Sequence, residues 1–402
     1  MWNTKELSGL DNRISTNTSP EMFFLKQKFF RERPVINCWC ARLSYQKDNC
    51  EGSVFSVVQD VLRNEVMALL NPRFRILGSQ RIHYDLYTSL NPYEGQILRT
   101  GDLRALKKSH FNPAWPVRIA IHGWAGKSTS CSNAALKDAY LSHGNFNVII
   151  VDWSVISHDI SYPRISQQLS EIAAHLVKFI RFLQREKDIE LSSVYLIGHS
   201  AGSHIAGLAG KLLKPQQLGA IIALDPAGLA QLGLSADYRL APDDALYVES
   251  IHTDTTHMGN PSFELSHAAF FPNWGQGQPQ CPNATAAEFD FACDHFAALY
   301  YMAESVRNPK IFGAMKLSNS ACMRGYNCTC LTGSYECPAD AFMGGEPVVP
   351  KVGTYYLSTK ANPPFGVGNV IPHRVATVTH DDLALANPSE KSGLHGFAVP
   401  CQ

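Results

Sequence analysis

Short apolar runs alternate with helix-length segments through the middle of the chain, and this alternation restricts the fold more than any other feature. The runs cover residues 117–121, 147–151, 194–197 and 220–224. Continuous apolar runs of this length are typical of strands that are buried on both faces of a parallel sheet. We therefore predict a mostly parallel sheet with right-handed crossovers and with helices on both faces.

The segments between these runs have the periodicity of helices. From residue 165 to residue 183 apolar side chains recur about every 3.6 residues, which predicts an amphipathic helix. Residues 200–214 form a second helix-length segment that ends before Pro215, and residues 133–143 form a third. Further strands are predicted at residues 82–87 and 246–252.

The patterned part of the chain is expected to form one domain at residues 75–366. Residues 1–74 lack a sustained period and are interpreted as an irregular N-terminal extension. Residues 367–402 are polar and interrupted by Pro and Gly, which predicts a flexible C-terminal tail. That tail is too short for another domain of ordinary size.

The charge balance excludes several classes of protein. The chain carries 35 basic and 35 acidic side chains, so no overall field attracts nucleic acid or an anionic membrane surface. No apolar run approaches the roughly 18 to 20 residues that a membrane-spanning helix needs. We therefore expect a soluble or peripherally associated protein without a nucleic-acid partner.

The cysteines and glycosylation sequons indicate an oxidising compartment. The chain has eleven cysteines, and Asn17, Asn283 and Asn327 begin Asn-x-Ser/Thr triplets. Residues 322–337 hold four cysteines at irregular spacing with no His among them, which favours disulfides over the alternative of a zinc site. These features predict a secreted, extracellular protein, although no signal peptide is visible in this chain.

A pentapeptide between a predicted strand and a predicted helix has the pattern of a nucleophile elbow. It reads Gly198-His199-Ser200-Ala201-Gly202. In such an elbow a strained turn brings the serine hydroxyl into the open, and the flanking glycines make room where a side chain would collide with backbone. The apolar run at 194–197 and the helix that follows supply the context that the motif requires. Ser200 is therefore the candidate nucleophile of an ester hydrolase.

A serine hydroxyl needs a base to accept its proton and an acid to orient that base. In this motif class the acid follows the nucleophile in the chain, and the base comes last. Asp225 ends the strand at 220–224, which places its carboxylate at the same edge of the sheet as Ser200. We interpret Asp225 as the acid, with a role as a helix N-cap as the alternative.

Three histidines compete for the role of the base. His252 ends a predicted strand and His267 lies in a predicted loop. We favour His295, because it follows Cys293 closely and a loop that is held by a disulfide would keep a catalytic imidazole steady. His252 and His267 stay open as alternatives.

An oxyanion intermediate needs two backbone donors, one of them from the residue after the nucleophile. Ala201 supplies that N–H. The loop 121–126 follows a predicted core strand and offers the Trp124 N–H as the second donor, with an ordinary structural turn as the alternative interpretation.

These motifs together resemble the animal pancreatic-type lipase family, and more narrowly its insect neutral lipase and phospholipase A1 branch. The resemblance covers residues 75–366 and includes, besides the elbow, His122-Gly123-Trp124, Val151-Asp152-Trp153-Ser154 and Ala223-Leu224-Asp225-Pro226-Ala227-Gly228. It implies an α/β-hydrolase fold and cleavage of lipid esters through an acyl-enzyme. It also implies a triad of Ser200, Asp225 and His295, and an oxyanion hole at Trp124 and Ala201.

The chain departs from that family pattern in ways that change its expected partners. Two positions that hold acidic calcium ligands in the pancreatic enzymes are Ala236 and Ala241 here, which leaves Arg239 and Asp244. Since calcium needs several oxygen ligands, no metal is expected, and no cofactor is implied. The family's C-terminal β-sandwich has no room in this chain, so no colipase dependence is expected, whereas contact with a membrane or lipoprotein surface remains open.

Cys281 and Cys293 are expected to form a disulfide around the segment that covers the active site in such relatives. That segment, residues 282–292, is about half as long as in the enzymes that act on triglyceride, and glycosylation at Asn283 would make it more hydrophilic; Asn327 is the second expected glycosylation site. A short polar cover favours phospholipase A1 cleavage at the sn-1 ester over the alternative, a neutral triacylglycerol lipase. A catalytically silent lipid-binding protein is the alternative of another class.

Overall fold

The computed structural model describes residues 82–157, 162–228, 234–281, 291–317 and 336–372. Its α-helices are α1 (Leu103–Lys108), α2 (Cys131–His143), α3 (Ser154–Ser157), α4 (Tyr162–Lys187), α5 (Ala201–Leu213) and α6 (Phe291–Arg307). The first eight strands are β1 (His83–Tyr87), β2 (Gln96–Leu98), β3 (Val117–Ile121), β4 (Asn147–Asp152), β5 (Val194–His199), β6 (Ala220–Leu224), β7 (Tyr247–Ile251) and β8 (Ala268–Pro272). The later strands are β9 (Gly313–Lys316), β10 (Glu336–Pro338), β11 (Ala341–Phe342), β12 (Gly353–Leu357) and β13 (Val370–Pro372).

One sheet of 11 strands organises these elements, in the order β11-β9-β12-β8-β7-β6-β5-β3-β4-β1-β2. Each neighbouring pair from β4 through β12 is parallel. At one side of the sheet β1 is antiparallel to its neighbours β4 and β2. At the other side β9 is antiparallel to its neighbours β12 and β11. The prediction of a mostly parallel sheet is therefore confirmed.

Helices cover both faces of the sheet because the connections change direction at β4. The chain moves from β3 to its neighbour β4 through α2, and then returns past β3 to β5 and on to β6 through α4 and α5. Right-handed crossovers in opposite directions put their helices on opposite faces. Accordingly α4 packs against α5, whereas α2 packs against α6. In such sheets ligands usually bind at the carboxyl ends of the strands where the direction changes, which here are β3 and β5.

Burial explains why the apolar patterns form these elements. Every residue of β3, β4 and β6 is buried, as expected for strands covered on both faces. Along α4 the apolar stripe is buried at Leu169, Ile172, Leu176, Ile180 and Leu183, which confirms the predicted amphipathic helix. Burying a side chain of this size contributes about 1.5 to 3 kcal/mol, so the stripe holds α4 on the sheet.

One described strand lies beyond residue 366, the predicted end of the domain. This strand, β13, pairs with β10 in a second, two-stranded sheet. The rest of the predicted tail, 373–402, and the predicted extension 1–74 lie outside the described residues, as do the three sequons and the cysteines at 322, 328 and 330. Among the described helices, none has the length and apolar character that crossing a bilayer requires.

Candidate active site

Ser200 lies in a strained turn between β5 and α5. Its backbone has φ 56° and ψ −123°, a conformation that costs on the order of 1 to 3 kcal/mol for a residue with a side chain. The Ser200 N–H donates to the Leu224 carbonyl at 2.9 Å, which ties the turn to the neighbouring strand β6. The strand, turn and helix that the elbow motif predicts are all present.

The glycines on either side of Ser200 are required by close backbone contacts. A Cβ at Gly198 would lie 2.4 Å from the Gly202 carbonyl oxygen, and a Cβ at Gly202 would lie 2.2 Å from that of Ile121. No real Cβ tolerates such distances, so the predicted steric reason for these glycines is confirmed. The expectation of an open hydroxyl is wrong, because Ser200 is only 4% exposed.

The loop after β3 packs directly on the nucleophile. A Cβ at Gly123 would lie 2.7 Å from Ser200 Cβ, so the backbone that leads into Trp124 passes beside the serine. The loop is held from behind by Trp153, whose Nε1–H donates to the His122 carbonyl at 2.9 Å and whose indole stacks on the His122 ring. On the other side of Ser200, Ala201 begins α5, where the first backbone N–H groups lack acceptors within the helix.

Asp225 and His295 form a buried hydrogen-bonded pair. His295 Nδ1 lies 2.5 Å from Asp225 Oδ2, and both side chains are at most 2% exposed. Asp225 Oδ1 accepts the backbone N–H groups of Thr253 at 2.7 Å and Asp254 at 3.0 Å. Burial raises the pKa of Asp225, and the hydrogen bond and charge of His295 oppose that rise. A carboxylate can only accept, so His295 Nδ1 carries a proton, and in the neutral ring Nε2 then presents a lone pair.

The Nε2 atom of His295 faces away from Asp225 and receives no hydrogen bond from the described part of the chain. His295 Nε2 is buried and has no hydrogen-bond partner among the described residues. A buried nitrogen without a partner costs on the order of 1 to 3 kcal/mol, which is tolerated where the group is kept for a reacting molecule. His295 is the fifth residue of α6, which begins at Phe291. The expectation that a loop carries His295 is therefore wrong.

His199 links the elbow to α6, a role that was not predicted from the sequence. His199 Nε2 donates to the His295 carbonyl at 3.0 Å, and the two ring centroids lie 4.6 Å apart. Burial is the main cause that holds the pKa of His199 well below its usual value, and the charge of nearby His295 is the second. The ring is therefore neutral and has one N–H to donate. Its position next to Ser200 in the motif was the only signal in the sequence.

The other two candidate bases are engaged elsewhere. His252 Nε2 lies 2.8 Å from Ser250 Oγ and its Nδ1 lies 2.7 Å from the Asn260 carbonyl oxygen, while burial lowers the pKa of His252 to about 4. His267 Nδ1 accepts the Val248 N–H at 3.0 Å. The structure therefore brings only His295, of the three, to Asp225.

The start of α6 is anchored by a disulfide and by an acidic side chain. Cys281 and Cys293 are bonded, as expected from the sequence. Asp294 accepts the N–H groups of Gly277 at 2.7 Å and Gln278 at 2.8 Å, which pins the helix to the preceding turn. Residues 282–290 of the expected cover lie outside the described residues.

The segment expected to have lost its calcium ligands is held by protein groups. Asp244 is fully buried, with one carboxylate oxygen bonded to the Lys211 ammonium and the other accepting the Ala241 N–H at 2.8 Å. The Arg239 guanidinium donates to the carbonyls of Leu234 and Leu240. The absence of calcium stays a prediction.

Comparisons with known proteins agree with this geometry. A family model described as Lipase matches residues 55–365. Phospholipase A1 member A of Bos taurus is 31% identical over 296 residues, which is 70% of this chain and 63% of that protein. Pancreatic triacylglycerol lipase of Cavia porcellus is 33% identical over 290 residues, or 65% of this chain and 60% of that protein. Lipase member H of Danio rerio is 32% identical over 248 residues, which is 60% of this chain and 53% of that protein. The match thus spans about three fifths of the first two relatives.

Proposed function

The chain belongs to the lipase family, and from that premise and the geometry above we propose that it is a serine-dependent hydrolase of lipid carboxylic esters. The observation that carries the proposal is the Asp225–His295 pair, which leaves His295 Nε2 buried and without a hydrogen-bond partner among the described residues, next to the strained elbow of Ser200. This is the arrangement that a base needs before it takes a proton from a serine hydroxyl.

In the proposed reaction Ser200 Oγ attacks the ester carbonyl carbon while its proton moves to His295 Nε2. Asp225 stabilises the imidazolium that forms and keeps its ring oriented. The alcohol product leaves with the proton from His295, and water then releases the fatty acid from Ser200 by the same steps. Backbone N–H groups of Ala201 and Trp124 stabilise the oxyanion, with help from the positive end of the α5 dipole.

We propose phospholipid, cleaved at the sn-1 ester, as the preferred substrate. The cover between Cys281 and Cys293 has only eleven residues, and its two aromatic side chains, Phe289 and Phe291, alternate with Glu288 and Asp290. So little apolar surface attaches weakly to an oil droplet, and a short cover leaves space for a polar headgroup. The identities to a phospholipase A1 and to a triacylglycerol lipase differ by too little to decide, so triglyceride hydrolysis is the second candidate.

An extracellular location, with contact to a lipid surface and without colipase, completes the proposal. The Cys281–Cys293 bond supports it, since such bonds persist in oxidising compartments. Glycosylation at Asn283 and Asn327 belongs to the same proposal.

The catalytic role of Ser200 is tested with a fluorophosphonate probe, which reacts with activated serines. We expect labelling of the wild-type chain and none of Ser200→Ala, whose rate on a soluble ester should fall by at least about 10³-fold because the nucleophile is gone. Far-UV circular dichroism checks that the variant folds. A folded wild-type protein that resists the probe would support the silent lipid-binding alternative.

Substrate preference is tested by turnover of phosphatidylcholine vesicles and triolein emulsions at matched interfacial area. Faster release of the sn-1 fatty acid from phosphatidylcholine is expected. Faster turnover of triolein would replace the phospholipase proposal with triacylglycerol lipase and would leave the roles of Ser200, Asp225 and His295 untouched.

A further inference from the structure

A second cluster of ionisable side chains lies on the edge of the sheet, away from the Asp225–His295 pair. In β1, His83 and Asp85 alternate with Tyr84 and so share one face. Asp152, the last residue of β4, is the direct antiparallel partner of His83. One atom from each of His83, Asp85 and Asp152 lies within 4.8 Å of the others. From this convergence we propose that the three side chains bind a Zn²⁺ ion.

The strongest observation is an incomplete hydrogen-bond network at Asp85. The Asp85 side chain is 9% exposed, and its Oδ1 atom has no hydrogen-bond partner among the described residues. Oδ1 faces His83 Nε2 at 3.5 Å, which is too long for a hydrogen bond. A buried carboxylate oxygen without a donor is costly, so the site is short of one positively charged or donating group.

The second carboxylate of the cluster belongs to Asp152, which is held in place by hydrogen bonds. Asp152 Oδ2 accepts the Ser128 N–H at 2.9 Å, and Oδ1 accepts the Ser154 N–H and hydroxyl. One of its carboxylate oxygens lies within 4.8 Å of a ligand atom of His83 and of Asp85. Asp152 Oδ2, which accepts the Ser128 N–H, has a second lone pair for a metal ion.

The ligand types and spacing favour zinc among divalent cations. One imidazole and two carboxylates suit Zn²⁺, whereas Ca²⁺ and Mg²⁺ require more oxygen ligands. Bonds of about 2.0 to 2.1 Å in a tetrahedron set neighbouring ligand atoms about 3.4 Å apart. The 3.5 Å between His83 Nε2 and Asp85 Oδ1 matches that edge. A water molecule would complete four-coordination, and the partly exposed His83 ring leaves a route from solvent.

The ion would stabilise the part of the fold that supports the oxyanion loop. Asp152 holds Ser128 on the segment that follows this loop, and the next residue, Trp153, holds the His122 carbonyl. Zinc would therefore tie β1 and β4 to both sides of residues 122–128. This proposal departs from the expectation from sequence that no metal is bound, which was argued from the calcium positions around Asp244 alone.

The test measures zinc bound by the full chain after removal of metals with a chelator. Mass spectrometry of metal content after equilibration with micromolar ZnCl₂ should show one equivalent fewer in Asp85→Asn and in His83→Gln than in wild type. Saturating zinc should raise the melting temperature of wild type by about 3 °C or more, and that shift should be lost in both variants. Asn is isosteric with Asp, and melting in chelator checks that Asp85→Asn folds.

Glu171→Gln is the matched control, because Glu171 pairs with His175 on α4 and the two belong to no group of three possible metal ligands in the described part of the chain. It should keep the wild-type zinc content and the wild-type shift. Co²⁺ in place of zinc should give the visible absorption of a tetrahedral site without the charge-transfer band of a thiolate ligand, which separates this site from any bound by cysteines. Equal zinc content in wild type and Asp85→Asn would overturn the proposal and leave a simple His83–Asp85 ion pair.

Discussion

Asp225 makes three hydrogen bonds with its two carboxylate oxygens, and this arrangement decides which nitrogen of His295 carries a proton. Two backbone N–H groups occupy Oδ1, so Oδ2 alone faces the imidazole. Hydrogen bonds to a carboxylate are stronger than neutral ones, which keeps a fully buried acid in one orientation. The proton on His295 Nδ1 is therefore fixed by the one Asp225 oxygen that is left to accept it, and not by the negative charge of Asp225 alone.

Asp225→Asn should lower kcat on a soluble ester by about 10⁴-fold while the fold is retained. The amide would donate to His295 Nδ1, which forces the proton onto Nε2 and removes the lone pair that Ser200 needs. The measurement is steady-state hydrolysis of a short-chain ester. Asp294→Asn, which alters a neighbouring carboxylate that contacts backbone and not the imidazole, should lose less than about tenfold. Similar losses in both variants would count against the specific role of Asp225.

His199 is expected to position His295 from behind. His199→Leu removes the donor to the His295 carbonyl and should lower kcat by about 10- to 100-fold with little change in KM, because small displacements of a base are costly. His199→Gln can place an amide N–H near the position of Nε2 and should recover most of the rate. If Gln were as damaging as Leu, packing rather than the hydrogen bond would explain the effect of this residue.

At the scale of elements, α6 carries the base and is fixed at its first turns by several contacts. The disulfide, the Asp294 carboxylate and the Asp225–His295 bond all act within residues 291–295. The three constraints differ in origin, since the first is covalent and the others are hydrogen bonds. Loss of one of them should therefore cost stability more than it costs the geometry of the imidazole.

Removal of the disulfide tests that expectation. The double variant Cys281→Ser with Cys293→Ser should unfold about 3 kcal/mol more easily, because the bond closes a loop with a sequence separation of 12. Denaturant unfolding measures this difference. Its rate on a soluble ester should stay within about tenfold of wild type, because Asp225 and His199 still hold His295. A loss of rate as large as that of Ser200→Ala would show that the disulfide itself positions the base.

Across the whole molecule, several buried histidines must stay neutral for the fold to persist. His204 is fully buried; its Nδ1 accepts the Leu240 N–H at 3.2 Å and its Nε2 donates to the Ala227 carbonyl at 2.8 Å. Both ring nitrogens are therefore committed in the neutral tautomer. Burial lowers the pKa of His204 to about 4 from an ordinary value of 6.5.

The sign of the resulting pH dependence follows from linkage. Because the pKa is lower in the folded state, the contribution of His204 to stability is complete above pH 6.5 and is lost as the pH falls through about 4. Protonation of His204 alone should therefore lower the free energy of unfolding by about 2 to 3 kcal/mol at pH 4.5 relative to neutral pH. Asp244 and Asp294, whose pKa values burial raises to about 6, act in the opposite direction.

A difference measurement isolates His204 from those carboxyls. His204→Gln replaces the ring by an amide that does not titrate, and urea unfolding of both proteins is measured at pH 7.5 and 4.5. The stability gap between wild type and variant should shrink at the lower pH by about 2 to 3 kcal/mol. A gap that is independent of pH would contradict the assignment of a depressed pKa to His204.

Local patterns in the sequence were sufficient for the architecture and for the nucleophile. The apolar runs at 117–121, 194–197 and 220–224 became adjacent parallel strands, because continuous apolar segments of that length are stable only when covered on both faces. The elbow at Ser200 was equally readable, since its motif stands between an apolar run and a helix-length segment, although the contact of Gly202 with the Ile121 carbonyl on β3 is not local.

Only the tertiary structure decided which distant side chains meet. Asp225 and His295 are 70 residues apart, and the choice of His295 over His252 and His267 follows from where α6 crosses the end of β6. The same holds for His83, Asp85 and Asp152, which are ordinary positions on two strands until the antiparallel register of β1 and β4 joins them. Backbone preferences act between near neighbours in the chain, whereas these contacts depend on strand register and packing, which arise when the whole sheet closes.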